Sequence, residues 1–239
     1  MQQAAKFEEI TIGLPEPLGG VDSISAVVGI PEWWPTGSRV AVAIAHDADA
    51  DLNDPLIECM QRDLAARKLL SIRFNFPFAE SGAPADENDS ETLDLAYRAA
   101  LSILGRDAAA APSHLFLGGM GIGGRVAARL STARLETDGV FLLGYPLHAP
   151  DQPDKPEAEH LYRVIPPMLF VQGDADPRCD LPTLRRCLSR VGTQTTLRIV
   201  ESADHGLLAP GKSESEDLAA RHAVSGVVAS WIEKILQSR

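Results

Sequence analysis

The stretch Leu115–Leu130, LFLGGMGIGGRVAARL, decides how the rest of the sequence is interpreted. It joins a short apolar run to five glycines within seven residues and then to an apolar pattern of helical period. Two interpretations fit it. Gly119-Met-Gly121-Ile-Gly-Gly124 has the spacing of a dinucleotide-binding loop. Gly119-Met-Gly121-Ile-Gly123 has the spacing of the strand–turn–helix elbow that carries a catalytic serine, with glycine in the place of the serine.

The elements around this stretch alternate between strands and helices after an initial pair of strands. Continuous apolar runs such as VAVAIA are typical of strands buried on both faces. The alternation predicts an α/β fold with a mostly parallel sheet of roughly eight strands, helices on both faces, no large lid, and a single domain over residues 1–239. The predicted strands are Glu8–Leu14, Ile24–Ile30, Val40–Ala45, Leu69–Phe76, Leu115–Leu117, Gly139–Gly144, Pro167–Gln172 and Thr196–Val200, and the predicted helices are Asp54–Arg67, Glu91–Leu104, Gly123–Ala133, Leu181–Arg190 and Glu216–Leu236.

Composition limits the classes of function. The chain has 239 residues, is 45% hydrophobic and carries a formal charge of −11, which disfavours a nucleic-acid or anionic membrane partner. Its three cysteines, Cys59, Cys179 and Cys187, do not have the spacing of a disulfide framework or a zinc knuckle. The first residues lack a signal-peptide pattern, and no apolar run reaches the ~18 residues needed to span a bilayer. We therefore expect a soluble cytoplasmic protein.

The residues that follow the glycine stretch do not support the dinucleotide-binding interpretation. A ribose-binding acid should end the strand after the glycine loop, about 20 residues on. That strand ends instead in Gly144-Tyr145-Pro146. A nicotinamide oxidoreductase is therefore disfavoured, and no cofactor is expected.

The elbow interpretation also predicts its catalytic partners. An acid and then a histidine should follow the nucleophile along the chain, each after a strand. Asp176 follows PMLFVQ in GDADP, and His205 follows TLRIV in SADHG. Gly121 stands in the nucleophile's place, where we expect a positive φ, and Gly119 and Gly123 are small enough for strand and helix to pass closely. The predicted site is thus a triad remnant of Gly121, Asp176 and His205.

With these motifs in place, the chain resembles the α/β-hydrolase superfamily. Specifically, it resembles small lidless dienelactone-hydrolase-like proteins related to the hydrolase-like domain of a subunit of the chromatin non-specific-lethal complex. The stretches that carry the resemblance are AHDADADLNDP, LLSIRFNFPF, GGMGIGGRVAARL, GYPLHAPDQPDK, LFVQGDADP and ADHGL, which together span about residues 40–205. The family pattern reads roughly HGAG in the first of these stretches and GGRSMGGR in the third.

Three departures from the family pattern affect the chemistry. Gly121 replaces the serine, and Asp47 and Asp49 replace the two glycines of HGAG. The resemblance implies that the backbone N–H groups of Asp47 and Ile122 occupy the oxyanion-hole positions. Without a hydroxyl or thiol at position 121, His205 has nothing to deprotonate there.

The two aspartates add an electrostatic penalty. An oxyanion about 4 Å from either carboxylate would meet a repulsion of roughly 4 kcal/mol at an effective dielectric of about 20. That is comparable to the roughly 3–4 kcal/mol that one oxyanion donor contributes. The leading hypothesis is a pseudo-hydrolase with a degenerate triad that binds an unknown small molecule or protein partner. The alternative is an active esterase or dienelactone-hydrolase-type enzyme in which His205 and Asp176 activate a water, with or without a metal near Asp47 and Asp49. Oligomeric state is left open.

The loop DADADLNDPLIE also resembles a calcium-binding pattern. Carboxylates and an amide occupy the ligand positions of such a loop, at Asp47, Asp49, Asp51, Asn53 and Glu58. Leu52, however, stands where the sharp turn requires glycine. An acidic loop that caps the next helix through Asn53 or Asp54 is the favoured interpretation, and no metal is expected.

Five histidines lie outside the predicted triad, and three of them fall in segments with a predicted role. His46 begins the acidic loop, and we expect it to order that loop. His148 and His160 lie between Leu147 and Arg163, a charged, proline-containing stretch that predicts a surface loop or short helix. We expect both of them on the surface.

Overall fold

The computed structural model describes residues 5–238 apart from 33, 35–38, 107–110, 133–134, 150–151 and 153. The strands are β1 (Lys6–Leu18), β2 (Val21–Ile30), β3 (Val40–Ala45), β4 (Leu70–Phe74), β5 (His114–Met120), β6 (Gly139–Leu143), β7 (Met168–Gly173) and β8 (Thr195–Val200). The helices are α1 (Pro55–Ala66), α2 (Pro77–Ser81), α3 (Ser90–Leu104), α4 (Ile122–Leu130), α5 (Leu181–Leu188) and α6 (Glu214–Gln237), with a 3-10 helix at Glu159–Arg163. None of the described helices is long and apolar enough to cross a membrane.

All eight strands form one sheet in the order β1-β2-β4-β3-β5-β6-β7-β8. β1 and β2 form an antiparallel hairpin, and β2 pairs with β4 in the same antiparallel sense. From β4 to β8 the pairing is parallel. The predicted α/β fold with a mostly parallel eight-stranded sheet is confirmed. Because β4 and β5 lie on opposite sides of β3, the strand order reverses there, and the carboxyl ends of β3 and β5 border the crevice in which such sheets place their sites.

The core lies on both faces of the sheet, and β3 shows why. Its alternate residues Ala41, Ala43 and Ala45 pack into the cluster that includes α3 and α4. Val40, Val42 and Ile44 pack into the cluster that includes α1 and α6. Successive side chains of a strand point to opposite faces, so a strand covered on both sides needs an unbroken apolar run.

In the segment between β6 and β7, the predicted surface position of His148 is wrong. His148 was expected on the surface, but it is only 3% exposed. Its Nδ1 donates to the Ala149 carbonyl at 2.9 Å, and its Nε2 accepts from the Asp180 backbone N–H at 3.0 Å. These two bonds fix the ring between β6 and the start of α5. The buried side chain is stable there because both of its nitrogens have a partner.

His160 was also expected on the surface and is instead partly buried. Its Nε2 lies 2.8 Å from the Tyr145 hydroxyl. Burial, together with the nearby positive charges of Arg125 and Arg129, lowers the pKa of His160 to about 4. The imidazole is therefore neutral at physiological pH. It is part of the packing in the segment between β6 and β7.

Candidate active site

The elbow has the geometry that the sequence predicted. Gly121 lies between β5 and α4 with φ +51° and ψ −118°, a region that L-residues rarely adopt. The two flanking glycines let the helix pass close to β3. A Cβ built on Gly119 would lie 2.5 Å from the Ala45 carbonyl oxygen, and one built on Gly123 would lie 2.6 Å from the same oxygen. The turn between β5 and α4 is therefore tight, and no side chain projects from it at position 121.

The Asp47 side chain fills the space beside the elbow. A Cβ built on Gly121 would overlap the Asp47 Oδ1 atom. That same oxygen accepts a hydrogen bond from the Ile122 backbone N–H at 2.9 Å, and Asp47 Oδ2 lies 2.9 Å from His205 Nε2. A carboxylate from the loop after β3 thus occupies the place where a serine side chain at position 121 would lie.

The acid and histidine partners also meet as predicted. Asp176 Oδ2 lies 2.8 Å from His205 Nδ1, and the Asp176 side chain is fully buried. Asp176 also accepts from Gln172 Nε2 at 2.6 Å and from the Arg178 backbone N–H at 2.8 Å. Gln172, which sequence reasoning missed, lies on β7, and its Oε1 accepts from the Tyr145 backbone N–H at 2.8 Å. It holds the carboxylate toward the histidine.

His205 is held as an imidazolium. Both of its ring nitrogens face carboxylates, and a carboxylate only accepts, so both nitrogens must donate. Burial opposes the positive charge, but the hydrogen bonds and charges of Asp176 and Asp47 outweigh it and raise the pKa of His205 to about 9.

Asp47 is the matching anion. Burial opposes its charge as well, but the bond and charge of His205 and the Ile122 N–H together lower the pKa of Asp47 to about 2. His205 has two carboxylate partners, whereas Asp47 has one cationic partner. The three side chains form a buried carboxylate–imidazolium–carboxylate row at neutral pH.

The row engages both ring nitrogens of His205. A general base needs a free lone pair, and neither nitrogen of the charged His205 has one. The Ile122 N–H, predicted to stabilise an oxyanion, donates to Asp47. The negative charge beside the elbow is that of the Asp47 carboxylate.

Comparison with known proteins decides the family. The model of the alpha/beta hydrolase domain family matches residues 38–233. The chain belongs to the α/β hydrolase domain family. Among solved structures, a dienelactone hydrolase from Anabaena variabilis superimposes with a TM-score of 0.73 at 18% identity over 97% of this chain and 99% of that one. An α/β serine hydrolase without a lid from Xanthomonas campestris gives 0.68 at 20% identity over 97% and 96%. Est1E from Butyrivibrio proteoclasticus gives 0.72 at 11% identity over 98% and 100%.

The rest of the acidic loop serves this α/β hydrolase domain structurally. Asp54 caps α1 by accepting from the Leu56 and Ile57 backbone N–H groups. His46 Nδ1 donates to the Asp47 carbonyl at 2.7 Å, and its Nε2 accepts from the Phe76 N–H at 3.0 Å. Burial lowers the pKa of His46, so it remains neutral as this pair of bonds requires. It orders the loop, as the sequence predicted.

The side chains of the calcium-like pattern do not converge on one point. Asp51 accepts from the Asn53 N–H at 2.6 Å, and Glu58 pairs with Arg62 at 2.5 Å. Asp49 is exposed, while Asp47 points to His205. Within the part of the chain that the structure describes, these acids do not form a group of three that could hold an ion.

Proposed function

We propose that this α/β hydrolase domain, spanning residues 1–239, is a pseudo-hydrolase. It has lost serine-hydrolase acyl transfer and keeps the fold to bind a small molecule or a protein partner. The observation that carries the proposal is the Asp47 carboxylate, which fills the nucleophile's place and is bonded to both His205 and the Ile122 N–H. We further propose that the chain is related in function to the lidless dienelactone-hydrolase-like proteins and to the non-specific-lethal-complex domain, with a glycine in place of their nucleophile.

The site favours binding over turnover because both nitrogens of His205 are already bonded to carboxylates. Acyl transfer requires a nucleophile that can lose a proton to histidine. Asp47 has no proton to give at neutral pH, and His205 is already charged. A ligand approaching the carboxyl edge of the sheet would meet the depression of about 400 Å³ beside the triad, whose lining includes His148, Asp174 and Asp176.

The alternative is an active hydrolase in which His205 and Asp176 activate a water. That mechanism needs a neutral His205 with Nε2 directed at the water, whereas Nε2 is bonded to Asp47. A metal near Asp47 and Asp49 would need carboxylate oxygens that Asp47 has already committed to His205 and Ile122. Both versions therefore require Asp47 to leave its place first, and we favour the pseudo-hydrolase.

The cellular compartment is also a proposal. All three cysteines are free thiols, which supports the reducing cytoplasm expected from the sequence.

A pair of proteins tests the loss of serine chemistry. The wild type and the double variant Asp47→Gly/Gly121→Ser are incubated with a fluorophosphonate probe that labels activated serines, and with a panel of short acyl esters. The double variant restores the hydroxyl and removes the carboxylate that would overlap it. We expect no labelling or ester turnover from the wild type, and serine labelling in the double variant.

The control is the triple variant that adds His205→Gln, which should abolish the labelling gained by the double variant. The panel is repeated with calcium, magnesium and manganese to include the metal-assisted alternative. Ester turnover by the unmodified protein, with or without these ions, would contradict the proposal.

A further inference from the structure

A second cluster of reactive side chains lies on the face of the sheet that α1 and α6 cover, between these two helices. Cys59 and Asp63 are four residues apart on α1, so they lie on the same side of that helix. His222 on α6 faces them. Its Nδ1 lies 3.4 Å from Cys59 Sγ and 2.9 Å from Asp63 Oδ2. The three ligand atoms all lie within 4.8 Å of one another.

These separations are close to those of a tetrahedral zinc site. Zinc bonds of about 2.3 Å to sulfur and about 2.0–2.2 Å to nitrogen and oxygen place neighbouring ligand atoms roughly 3.4–3.6 Å apart. The sulfur–nitrogen distance already has this value, and the nitrogen–oxygen distances of 2.9 and 3.1 Å are slightly shorter. A metal could enter with small side-chain shifts.

The donor atoms of the cluster also face one another. His222 Nδ1 lies within hydrogen-bond distance of both the Cys59 sulfur and the Asp63 carboxylate. With the thiol deprotonated and the imidazole neutral, each of the three atoms has a lone pair that it can donate to a metal ion.

Burial leaves the cluster anchored on one side and open on the other. Cys59 is 7% exposed, whereas the side chains of Asp63 and His222 are 26% and 52% exposed. Two arginines lie near this cluster. Arg62 is paired with Glu58, and Arg221 precedes His222 in the chain. The ligand set itself supplies a thiolate and a carboxylate, which neutralise a divalent ion.

We propose that Cys59, Asp63 and His222 form a binding site for zinc or a similar divalent transition metal, with the fourth position open to water. A thiolate with an imidazole selects such metals over calcium and magnesium, which prefer oxygen ligands. The site joins α1 to α6 and is separate from the row of Asp47, His205 and Asp176. The proposal does not rest on the loss of hydrolase activity.

The test is a cobalt titration of the untagged, chelator-stripped full chain. Cobalt(II) bound to a thiolate gives a sulfur-to-metal charge-transfer absorption in the near ultraviolet. We expect this band to saturate at one ion per chain, and zinc to displace cobalt and raise the thermal unfolding midpoint. Cys59→Ser should abolish the band. His222→Ala, at a half-exposed position that tolerates truncation, should weaken zinc binding at least about tenfold in a chelator competition.

Cys187→Ser is the matched control, because Cys187 is also a free thiol and is also 7% exposed. It should leave the band and the affinity unchanged. Should Cys59→Ser fail to fold, the His222→Ala competition decides the outcome. The absence of a charge-transfer band, its loss in Cys187→Ser, or zinc affinity unchanged in His222→Ala would each overturn the proposal.

Discussion

Gly121 and Asp47 are complementary at the level of single residues. The carboxylate can lie against the elbow only because position 121 has no side chain. Conversely, that carboxylate accepts from the Ile122 N–H and bonds to His205 Nε2. Two departures that look independent in the sequence are therefore coupled in the structure, since the Asp47 side chain from the loop after β3 fills the space that Gly121 leaves open after β5.

Restoring only the serine should destabilise the protein. In Gly121→Ser the new Cβ would overlap Asp47 at φ +51°, so we expect a loss of unfolding free energy above the roughly 1–3 kcal/mol of backbone strain. Gly82→Ser is the control, because Gly82 has φ +66° but no heavy atom within 4 Å of the added Cβ. Urea unfolding measures both. Equal losses in the two variants would refute the overlap, and adding Asp47→Gly should recover part of the loss at position 121.

The charge on His205 can be followed directly by NMR. Its imidazole should titrate with a pKa of about 9 in the wild type. Asp47→Asn removes one of its two carboxylate partners and should lower that pKa, while Asp176 keeps part of the shift. Asp49→Asn, an exposed carboxylate in the same loop, should leave the titration unchanged. A wild-type pKa near 6.5 would show that the row does not form.

At the level of elements, the site is held because four strand ends converge. The loops after β3, β5, β7 and β8 carry Asp47, Gly121, Asp176 and His205 respectively. Helix α3 packs against the sheet and contacts both β3 and β5 through one of its side chains. The Tyr97 hydroxyl contacts the Ala43 carbonyl at 3.0 Å and the Gly118 carbonyl at 2.9 Å, and it accepts from the Gly118 N–H at 3.1 Å. The helix thereby fixes the strands that present the elbow and the acidic loop.

Tyr97→Phe should therefore weaken the fold without changing its packing volume. The hydroxyl is fully buried, so its removal leaves strand polar groups unsatisfied at a cost of about 1–3 kcal/mol. Tyr162→Phe is the control, since Tyr162 is 41% exposed. Chemical denaturation compares the two. A loss below about 0.5 kcal/mol in Tyr97→Phe would show that the hydroxyl does not carry this contact.

At the level of the whole molecule, the row predicts how stability depends on pH. The folded pKa of His205, about 9, lies above the ordinary 6.5, so its contribution is complete below 6.5 and is lost as pH rises through about 9. The folded pKa of Asp47, about 2, lies below the ordinary 3.8, so its contribution is lost as pH falls through that interval. The row stabilises the fold most between these limits.

The unfolding free energy should fall by roughly 3 kcal/mol or less between neutral pH and about pH 9.5 because of His205. In Asp47→Asn this alkaline decline should begin at lower pH and be smaller. Asp49→Asn provides the matched loss of one negative charge and should retain the wild-type slope. Denaturant unfolding at a series of pH values measures all three, and an identical slope in Asp47→Asn would contradict the assignment.

The sequence by itself determined the fold and the candidate site's positions. The apolar run of β3 reflects burial on both faces, and the glycine spacing reflects a tight turn with a positive φ; both are local backbone properties that leave a pattern in neighbouring residues. The chain order of Gly121, Asp176 and His205 then followed from the order of the strands. The short helix α2 and the burial of His148 left no such pattern, because each depends on what packs against it.

Only the tertiary structure decided what the site contains. Asp47 was predicted to contribute a backbone N–H and to repel an oxyanion, and the direction of its side chain was open. It points at His205, 158 residues away in the chain. Cys59 and His222 are 163 residues apart and meet only because α1 packs on α6. Periodicity records which face of an element is buried, but which side chains from distant elements meet there is set by packing between elements, and a single sequence does not encode that packing in any local pattern.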